Sequence, residues 1–378
     1  PQRKRSKEAG LELKLLQNRI SFDVAVYREN TINQIMNIDV SRTTGFNNKT
    51  INAGDLQNQG VEIQAIFTPV QTKDFQWDIN VNWSKNESKV VELYGDMKYL
   101  QLYNLSWNAL AYAFPGKEYG TIFGYDIVRE FAKPVYYDAD QKQLAYYEYS
   151  GRPVVSTSGR YRRSGARTPI GNIMPDWFGG VNNSFTYKNA NLSFLVDFKK
   201  GGDIFSVTNM FGMYTGVLEE TAATNANGKN IRDAKADGGG VLIEGAVYGK
   251  VNPDGSIQFQ DATGANSATP VENTTYVAAN LWGYDFYGKN SLSTFDGSFI
   301  KLREVSAGYS FNNIGFLNKA GIRDLNLAIV GRNLWIIQKN IPHLDPEVSS
   351  SAGNTSVGAE TNAIPSTRSY GFNIKLSF

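Results

Sequence analysis

The clearest alternation of apolar and polar positions lies in the last ten residues of the chain. Bulky apolar side chains occupy one parity there, and small or polar side chains occupy the other. The apolar set is Tyr370, Phe372, Ile374, Leu376 and Phe378. An extended segment with this pattern carries its apolar groups on one face. It predicts a β-strand between two different environments, either lipid and a watery lumen or the core and surface of a soluble sheet.

Similar alternation recurs upstream. It covers residues 9–15, 20–35, 60–67, 75–83, 176–187, 192–198, 298–311 and a segment that starts at 325. The stripe over 75–83 is the most regular, and at about 3.3 Å per residue it spans roughly 26 Å, comparable with the apolar band of an outer-membrane barrel. Trp77 and Trp83 lie at its two ends. Together with Trp177, they are assigned to the aromatic girdles at the membrane interfaces.

The connections between these strands alternate in length. Short turns near 16–19, 69–74, 188–191 and 312–324 alternate with long loops near 37–53, 94–174, 201–296 and 338–366. Nine strands joined in this way place all long loops on one side of a sheet, as in barrels with short periplasmic turns and long extracellular loops. Such long loops are unusual within a compact soluble domain. The sequence therefore predicts an all-β fold, a transmembrane antiparallel β-barrel whose C-terminus is periplasmic.

The number of strands adds a further expectation. Bacterial single-chain barrels normally have an even number of strands, whereas the pattern gives nine. We therefore expect residues 1–378 to form the C-terminal part of one barrel domain, with earlier strands preceding Pro1. The long loops about 94–174 and 201–296 would be extracellular.

Composition narrows the classes of function. Lys and Arg number 38 against 36 Asp and Glu, so the net charge of +2 gives no indication of a nucleic-acid partner. The absence of cysteine excludes disulfides, thiolate metal sites and a cysteine nucleophile within this sequence. No run of about 18 apolar residues predicts a membrane-spanning helix. A mean hydropathy of −0.36 is compatible with barrel strands, which are only half apolar.

Enzyme signatures are weak. His343 is the only histidine, and it is interpreted as a loop residue. Glu219 and Glu220 are adjacent and fit a solvated face or a helix start better than an acid–base pair. Residues 252–255 fit a β-turn better than a calcium loop, and 238–240 lack the context of a phosphate-binding loop. We predict no catalytic residue, no bound metal and no cofactor.

Aromatic residues in the two longest loops are the best candidates for binding. The set is Trp107, Tyr112, Trp282, Tyr284 and Tyr287. Tryptophan and tyrosine offer large rigid contact areas with a polar group, which suits stacking on a substrate or packing against a protein lid. The alternative, that these residues pack the loops internally, stays open. The basic run 160–167 offers contact with an anionic ligand or pairing with carboxylates.

Several segments resemble one family, in order along most of the chain. They are IGNIMPDWFGG at 170–180 followed by NSFTYKN at 183–189, FIKLREV at 299–305, GRNLW at 331–335, DPEV at 345–348 and the terminal segment 365–378. Together they are similar to the C-terminal part of SusC/RagA-family TonB-dependent outer-membrane transporters of Bacteroidota. The acidic segment that often precedes the first motif in that family is replaced here by the basic run 160–167.

The resemblance implies a 22-stranded barrel in the outer membrane that imports oligosaccharides or peptides. It implies a SusD-like surface lipoprotein as a lid, energy from the TonB complex, and an N-terminal plug outside this sequence. A surface β-rich glycan-binding protein or adhesin without transport activity is the alternative. A terminal aromatic on the lipid parity, here Phe378, resembles the assembly signal of such barrels.

We predict that removal of residues 370–378, or the change Phe378→Asp, blocks assembly of the full-length protein in the outer membrane. The reason is that either change removes apolar groups from the lipid face of the last strand. The measurement is the amount of protein in the outer-membrane fraction, with Ser377→Asp as a control on the opposite parity. Normal membrane levels of the two altered proteins would contradict the assignment.

Overall fold

The structure is a computed structural model, and it describes residues 1–39, 43, 45, 48–52, 54–138, 143–312, 314–315, 321–347 and 357–377. The strands in this part of the chain are β1 (Arg3–Leu15), β2 (Ile20–Ile32), β3 (Ile35–Asp39), β4 (Asn48–Asn52), β5 (Asp55–Gln71), β6 (Phe75–Glu92), β7 (Leu100–Ser106), β8 (Ala109–Ala113), β9 (Thr121–Gly124), β10 (Arg129–Asp138), β11 (Gln143–Val155), β12 (Thr168–Asn172), β13 (Pro175–Tyr187), β14 (Ala190–Gly201), β15 (Ile204–Ser206), β16 (Val247–Val251), β17 (Ile257–Phe259), β18 (Thr294–Phe295), β19 (Phe299–Asn312), β20 (Asp324–Lys339), β21 (Ala359–Glu360) and β22 (Ser369–Ser377). The α-helices are α1 (Val207–Thr215) and α2 (Ala279–Gly288), and short 3₁₀ helices cover Glu219–Ala222, Lys235–Asp237 and Asn290–Ser293.

Nine of these strands form one large sheet. Their order is β1-β2-β5-β6-β13-β14-β19-β20-β22, and each neighbouring pair is antiparallel. The order in the sheet is the order along the chain, so the sheet is a meander. Four long loops separate the hairpins, and we call them L1 (33–54), L2 (93–174), L3 (202–298) and L4 (340–368). The predicted nine strands and the predicted alternation of short and long connections are both confirmed.

The alternation seen in the sequence becomes two chemically different faces. In an antiparallel sheet, residues directly opposite each other point to the same side. Trp77 lies opposite Phe185, and Phe372 lies opposite Ile329, so the apolar stripes of adjacent strands coincide. Phe372 leaves 84% of its surface exposed, because no layer of protein covers the apolar face at this position. Phe378 lies outside the described residues.

Several strands, among them β1, β5 and β6, are longer than the sequence pattern predicted. β1 begins at Arg3 instead of residue 9, because its basic start pairs with the end of β2: Arg3 lies opposite Ile32. β5 covers 17 residues instead of the predicted 60–67, and its register shifts between Phe67 and Val70. Alternation is interrupted at such a bulge, so a pattern search ends the strand too early.

The three girdle tryptophans lie at the two ends of the apolar face. Trp77 follows the short turn at 72–74; its ring stacks on Phe185 with centroids 5.7 Å apart, and its Nε1 donates to Asn183 Oδ1 at 3.1 Å. Trp83 lies opposite Gly179 near the long-loop end. Trp177 lies at that end too and packs edge-on against Phe198. These positions fit the two aromatic girdles expected at the membrane interfaces. That the three tryptophans form such girdles stays a prediction.

The buried core lies in the loops and not in the sheet. Among the described residues, the buried apolar side chains of the nine strands are Ala65, Val90 and Phe299. The largest buried cluster draws on L2, L3 and L4 together. Its members are Leu105, Ala109, Ala111, Ile122, Ile173, Phe205, Val207, Met210 and Ala359. The three loops therefore share one hydrophobic core, and each depends on the other two for burial.

An ion-pair network fastens L4 to the inner wall of the sheet. Lys301 of β19 pairs with Asp345 and, at 2.5 Å, with Glu347. Arg303 contacts Glu347 at 2.7 Å and Asp197 of β14 at 2.6 Å. Burial opposes ionisation of Asp345 and Glu347, but hydrogen bonds from the cations hold the pKa of each below its ordinary value. The segments FIKLREV and DPEV, which carried the family resemblance, are thus direct partners.

A second link joins L4 to the start of α1. β21 pairs in parallel with β15, which brings the fully buried Glu360 to the helix N-terminus. Glu360 accepts hydrogen bonds from Ser206 Oγ at 2.8 Å and from Thr208 Oγ1 at 2.6 Å. Thr208 N and Ala363 N donate to the same carboxylate. Hydrogen bonds and the positive end of the helix dipole replace a counter-ion here.

Across the described residues, no helix has both the length and the apolarity needed to cross a membrane.

We predict that Glu360→Ala loosens α1 without unfolding the sheet. The change leaves Ser206 as a buried donor without its acceptor and removes the main partner of the half-buried Thr208. Together these losses cost about 2 kcal/mol, roughly a 30-fold rise in local opening. Hydrogen exchange of the α1 amides in the full-length protein measures this. Glu219→Ala, at an exposed carboxylate of L3, the loop that contains α1, is the control and leaves exchange unchanged. Equal protection in the two variants would refute the capping role.

Candidate functional site

Five aromatic side chains from two loops meet on the loop assembly. The set, which we call the aromatic patch, is Trp107 of L2 with Phe211, Tyr214, Tyr284 and Tyr287 of L3. Trp107 lies 5.0 Å from Phe211 and 5.5 Å from Tyr287 between ring centroids. Tyr214 lies 5.2 Å from Tyr287 and 5.7 Å from Tyr284. Trp107, Tyr214 and Tyr284 each keep more than two fifths of their surface exposed, so the patch offers a continuous aromatic surface.

Helix geometry explains how L3 supplies four of these rings. Phe211 and Tyr214 are three residues apart on α1, and Tyr284 and Tyr287 are three residues apart on α2, so each pair lies on one helix face. The two helices pack closely at Gly283. A Cβ atom there would come within 2.4 Å of Met213 O. Only glycine permits this approach, which places the two aromatic faces side by side.

Trp107 is held in an unusual backbone conformation. It occupies the turn between β7 and β8 with φ of 47°, and Asn108 follows with φ of 70°. Two consecutive positive φ angles are typical of a type I′ turn, which favours Asn and Gly and disfavours a bulky residue. Asn290 Nδ2 donates to Trp107 O at 2.7 Å, and Arg167 donates to Asn108 O at 3.1 Å. Strain fixed by surrounding contacts is typical of functional positions.

A buried carboxylate supports the patch from below. Asp285 of α2 is fully buried and accepts from Arg160 at 2.5 Å, from Lys289 at 2.8 Å and from Tyr161 N at 3.2 Å. Burial lowers the pKa of Lys289, and the pairing with Asp285 opposes that shift. The Arg160 guanidinium also lies 5.5 Å from the centroid of the Tyr284 ring. Tyr284 therefore rests on a charge network that spans L2 and L3.

The basic run 160–167 is used inside the chain. Arg160 pairs with Asp285, and Arg162 Nε donates to Gly249 O at 3.1 Å. Arg163 and Arg167 lie over the Tyr125 ring, with Cζ at 4.3 Å and 5.7 Å from its centroid. Three of the four arginines are at least partly buried. In this structure the run joins L2 to L3 through Arg160 and Arg162. The sequence alone left open whether the run pairs with carboxylates or contacts an anionic ligand.

Two of the five predicted contact residues lie away from the patch. Trp282 is on α2 but packs against Phe286 and the buried cluster that contains Tyr248. Tyr112 packs edge-on against Phe123 and Tyr99 in L2. The internal packing alternative describes these two residues, whereas Trp107, Tyr284 and Tyr287 lie together. Binding by any of the five stays a prediction.

Sequence reasoning missed Phe211 and Tyr214. The three-residue spacing within 207–215 carried a helical signal, but the segment lies inside a loop with no predicted element.

The other candidate sites have structural roles. The single histidine has a partner, since His343 Nε2 lies 2.8 Å from Glu220 Oε1. Residues 252–255 form the expected turn, with Gly255 N donating to Asn252 O. In the described ranges, no group of three or more possible metal ligands comes together.

Curated relatives match nearly the whole chain. TonB-dependent receptor P3 of Formosa agariphila is 23% identical over 387 residues, which cover 98% of this chain and 34% of the relative. TonB-dependent receptor P39 of the same organism is 25% identical over 347 residues, covering 83% and 30%. TonB-dependent receptor SusC of Bacteroides thetaiotaomicron is 23% identical over 376 residues, covering 98% and 31%. The chain thus spans about a third of the length of these relatives. No family model matches the chain.

Solved structures give the same picture of the fold. The RagAB peptide importer in its closed-closed state superposes with a TM-score of 0.64 at 17% identity, covering all of this chain and 35% of that one. The open-open state gives a TM-score of 0.61, also at 17% identity, covering 99% and 34%. The nine-stranded sheet therefore has the fold of part of a RagA-like transporter barrel, and the predicted fold class is confirmed. The resemblance to the SusC/RagA family is confirmed, and the expectation that the chain is not an enzyme agrees with relatives that are receptors and transporters.

We predict that Trp107→Gly keeps the β7–β8 hairpin, whereas Trp107→Val opens it. Both variants lose the ring contacts, but glycine accepts positive φ and a β-branched residue does not. The difference should be about 1–2 kcal/mol of local stability, roughly a 5- to 30-fold difference in exchange rate. Hydrogen exchange of Leu105 and Leu110 amides measures it. Equal exchange in both variants would show that the turn carries no strain.

Proposed function

We propose that residues 1–378 are the C-terminal part of the barrel domain of an outer-membrane nutrient importer that uses energy from the TonB complex. The observation that carries the proposal is the nine-stranded meander with one largely apolar face and all long loops at one end. The matches to TonB-dependent receptors and to RagAB support it. Remaining strands, a plug and the TonB contact would come from the rest of a full-length protein, as the lengths of the relatives suggest.

The orientation follows from the loops. L2 and L3 are rich in aromatic and polar residues and form a folded assembly, which suits the extracellular side, where substrate arrives. The short turns and the C-terminal end of β22 then lie on the periplasmic side. The apolar face of the sheet contacts outer-membrane lipid, with Trp77 at the periplasmic interface and Trp83 and Trp177 at the outer one.

The cargo is an oligosaccharide or a peptide. The RagAB peptide importer supports the peptide class, and the oligosaccharide class rests on the resemblance of the sequence to the SusC/RagA family. We further propose a SusD-like surface lipoprotein as a lid that closes over the long loops. L2, L3 and L4 share one core, so they offer the lid a single firm surface and not three separate loops.

The aromatic patch is the proposed contact for the lid. The Tyr284 ring lies against Arg160, which pairs with the buried Asp285, and Tyr214 and Tyr284 remain exposed. Anchored tyrosine and tryptophan are the side chains that most often dominate the binding energy of protein interfaces. The tyrosine hydroxyl groups can also form hydrogen bonds with water when the lid is open.

We predict that the double change Tyr214→Ser and Tyr284→Ser weakens co-purification of the lipoprotein with the full-length importer by tenfold or more. A tenfold loss corresponds to about 1.4 kcal/mol, within the range for removal of two interface aromatics. TonB-dependent uptake should fall in parallel. The matched control is Val217→Ser, at a residue that is 75% exposed on the same loop outside the patch.

The possible outcomes separate two claims. Unchanged co-purification in the double variant would remove the patch from the lid interface while the importer stands. Uptake that persists without TonB, or recovery of the full-length protein as a soluble monomer without detergent, would overturn the importer itself. Deletion of 201–296 is a less specific test, because it also removes Phe205 and Met210 from the core shared by three loops.

A further inference from the structure

L2 contains a cleft that is separate from the aromatic patch. The cleft has a volume of about 730 Å³ and lies between the β10–β11 hairpin on one side and β9 and β12 on the other. Pockets that bind small ligands commonly have volumes of about 300–1,000 Å³. Its wall residues all come from L2, and Asn172 at one end of the wall is held by L3, since its N–H donates to Asp203 Oδ2 at 2.8 Å.

The floor of the cleft is apolar and closely packed. The Phe114 ring stacks on the Phe123 ring with centroids 5.0 Å apart and planes at 30°. Tyr146 meets Phe123 edge-on at 5.5 Å, and Tyr112 meets it edge-on at 5.2 Å. Phe123 is only 6% exposed. Its ring is therefore covered by other rings, and the floor offers apolar contact without a flat open ring for stacking a sugar.

The rim of the cleft carries charges of both signs. The residues that line the cleft include Asp96, Lys98, Lys117 and Glu118. All four side chains are exposed. Within the part of the chain that the structure describes, none of the four forms an ion pair or a side-chain hydrogen bond. Glu148, a fifth rim residue, reaches only Lys133, at 3.9 Å with both groups exposed.

We propose that the L2 cleft binds short peptides that the importer captures. An apolar side chain of the peptide lies on the Phe114–Phe123 floor, and the charged ends or side chains of the peptide pair with rim residues of opposite sign. Neutral oligosaccharides have no groups that need both an ammonium and a carboxylate as partners, and they gain most from an open aromatic face. Charge complementarity and the covered rings therefore favour a peptide over a sugar. This inference rests on the importer function proposed above and names its substrate class.

The test uses the full-length importer in detergent and a tripeptide with a central phenylalanine and free termini. Binding is measured by calorimetry, with maltoheptaose as the sugar comparison. Ala145→Trp places a large side chain at a half-buried position in the cleft wall and should weaken tripeptide binding at least tenfold. Leu144→Trp, at the neighbouring exposed position outside the wall, is the matched control and should bind as the unchanged protein does.

A second pair of measurements tests the rim. Lys117→Glu should weaken binding of the free tripeptide about two- to fivefold, the size expected for one exposed ion pair. The same substitution should have no effect on a tripeptide whose termini are acetylated and amidated. An equal effect on both peptides would overturn the role of the rim charges.

The remaining outcomes are equally decisive. Unchanged binding in Ala145→Trp would place the peptide elsewhere and overturn the cleft, and binding of maltoheptaose without binding of the tripeptide would overturn the peptide class. In both cases TonB-dependent uptake would still support the importer. Retained tripeptide binding with uptake independent of TonB would instead count against the importer while the cleft stands.

Discussion

The structure depends on one constraint, which is that a single sheet between lipid and water has no interior of its own. Each of the nine strands has one apolar and one polar face, which the proposed barrel would turn to lipid and to lumen, and few of their side chains are buried by protein. Ala65, Val90 and Phe299 are the buried apolar residues of those strands in the described structure. The hydrophobic core that a soluble domain builds between layers is here displaced into the long loops. Backbone pairing across neighbouring strands holds the sheet, whereas apolar burial holds the loops.

The loops solve a second problem, which is to stay folded at the end of a barrel without a sheet beneath each of them. L2, L3 and L4 contribute to one core around Leu105, Phe205 and Ala359. Their buried charges are satisfied across loop boundaries: Glu360 of L4 at the start of α1, and Asp285 of L3 by Arg160 of L2. A buried charge that loses its partners is costly. Such links therefore make the three loops one folded unit, whose outer surface carries the aromatic patch and the L2 cleft.

The aromatic candidates illustrate how far local pattern can go. Trp107 and Tyr284 are 177 positions apart in sequence, yet both reach the patch, and only packing of α1 against α2 at Gly283 explains why. Trp282 is two residues from Tyr284 but points to the opposite side of the same helix, into a buried cluster. Residue type alone could not separate these two, because exposure on a helix depends on which face meets its neighbours. The basic run 160–167 was ambiguous for the same reason, since its carboxylate partner lies on α2.

The sequence by itself determined the sheet. Alternating parity, the nine segments that carry it and the short and long connections are local properties, and an antiparallel meander follows from them because consecutive strands pair. The tertiary structure alone decided the loops, where contacts join residues far apart in the chain. Lys301 meeting Asp345, Glu360 capping α1, and Phe211 and Tyr214 completing the patch all depend on how three loops fold against each other. Period-two alternation is imposed by the two solvents of a membrane strand, whereas no repeating environment constrains a loop, so its partners appear only in three dimensions.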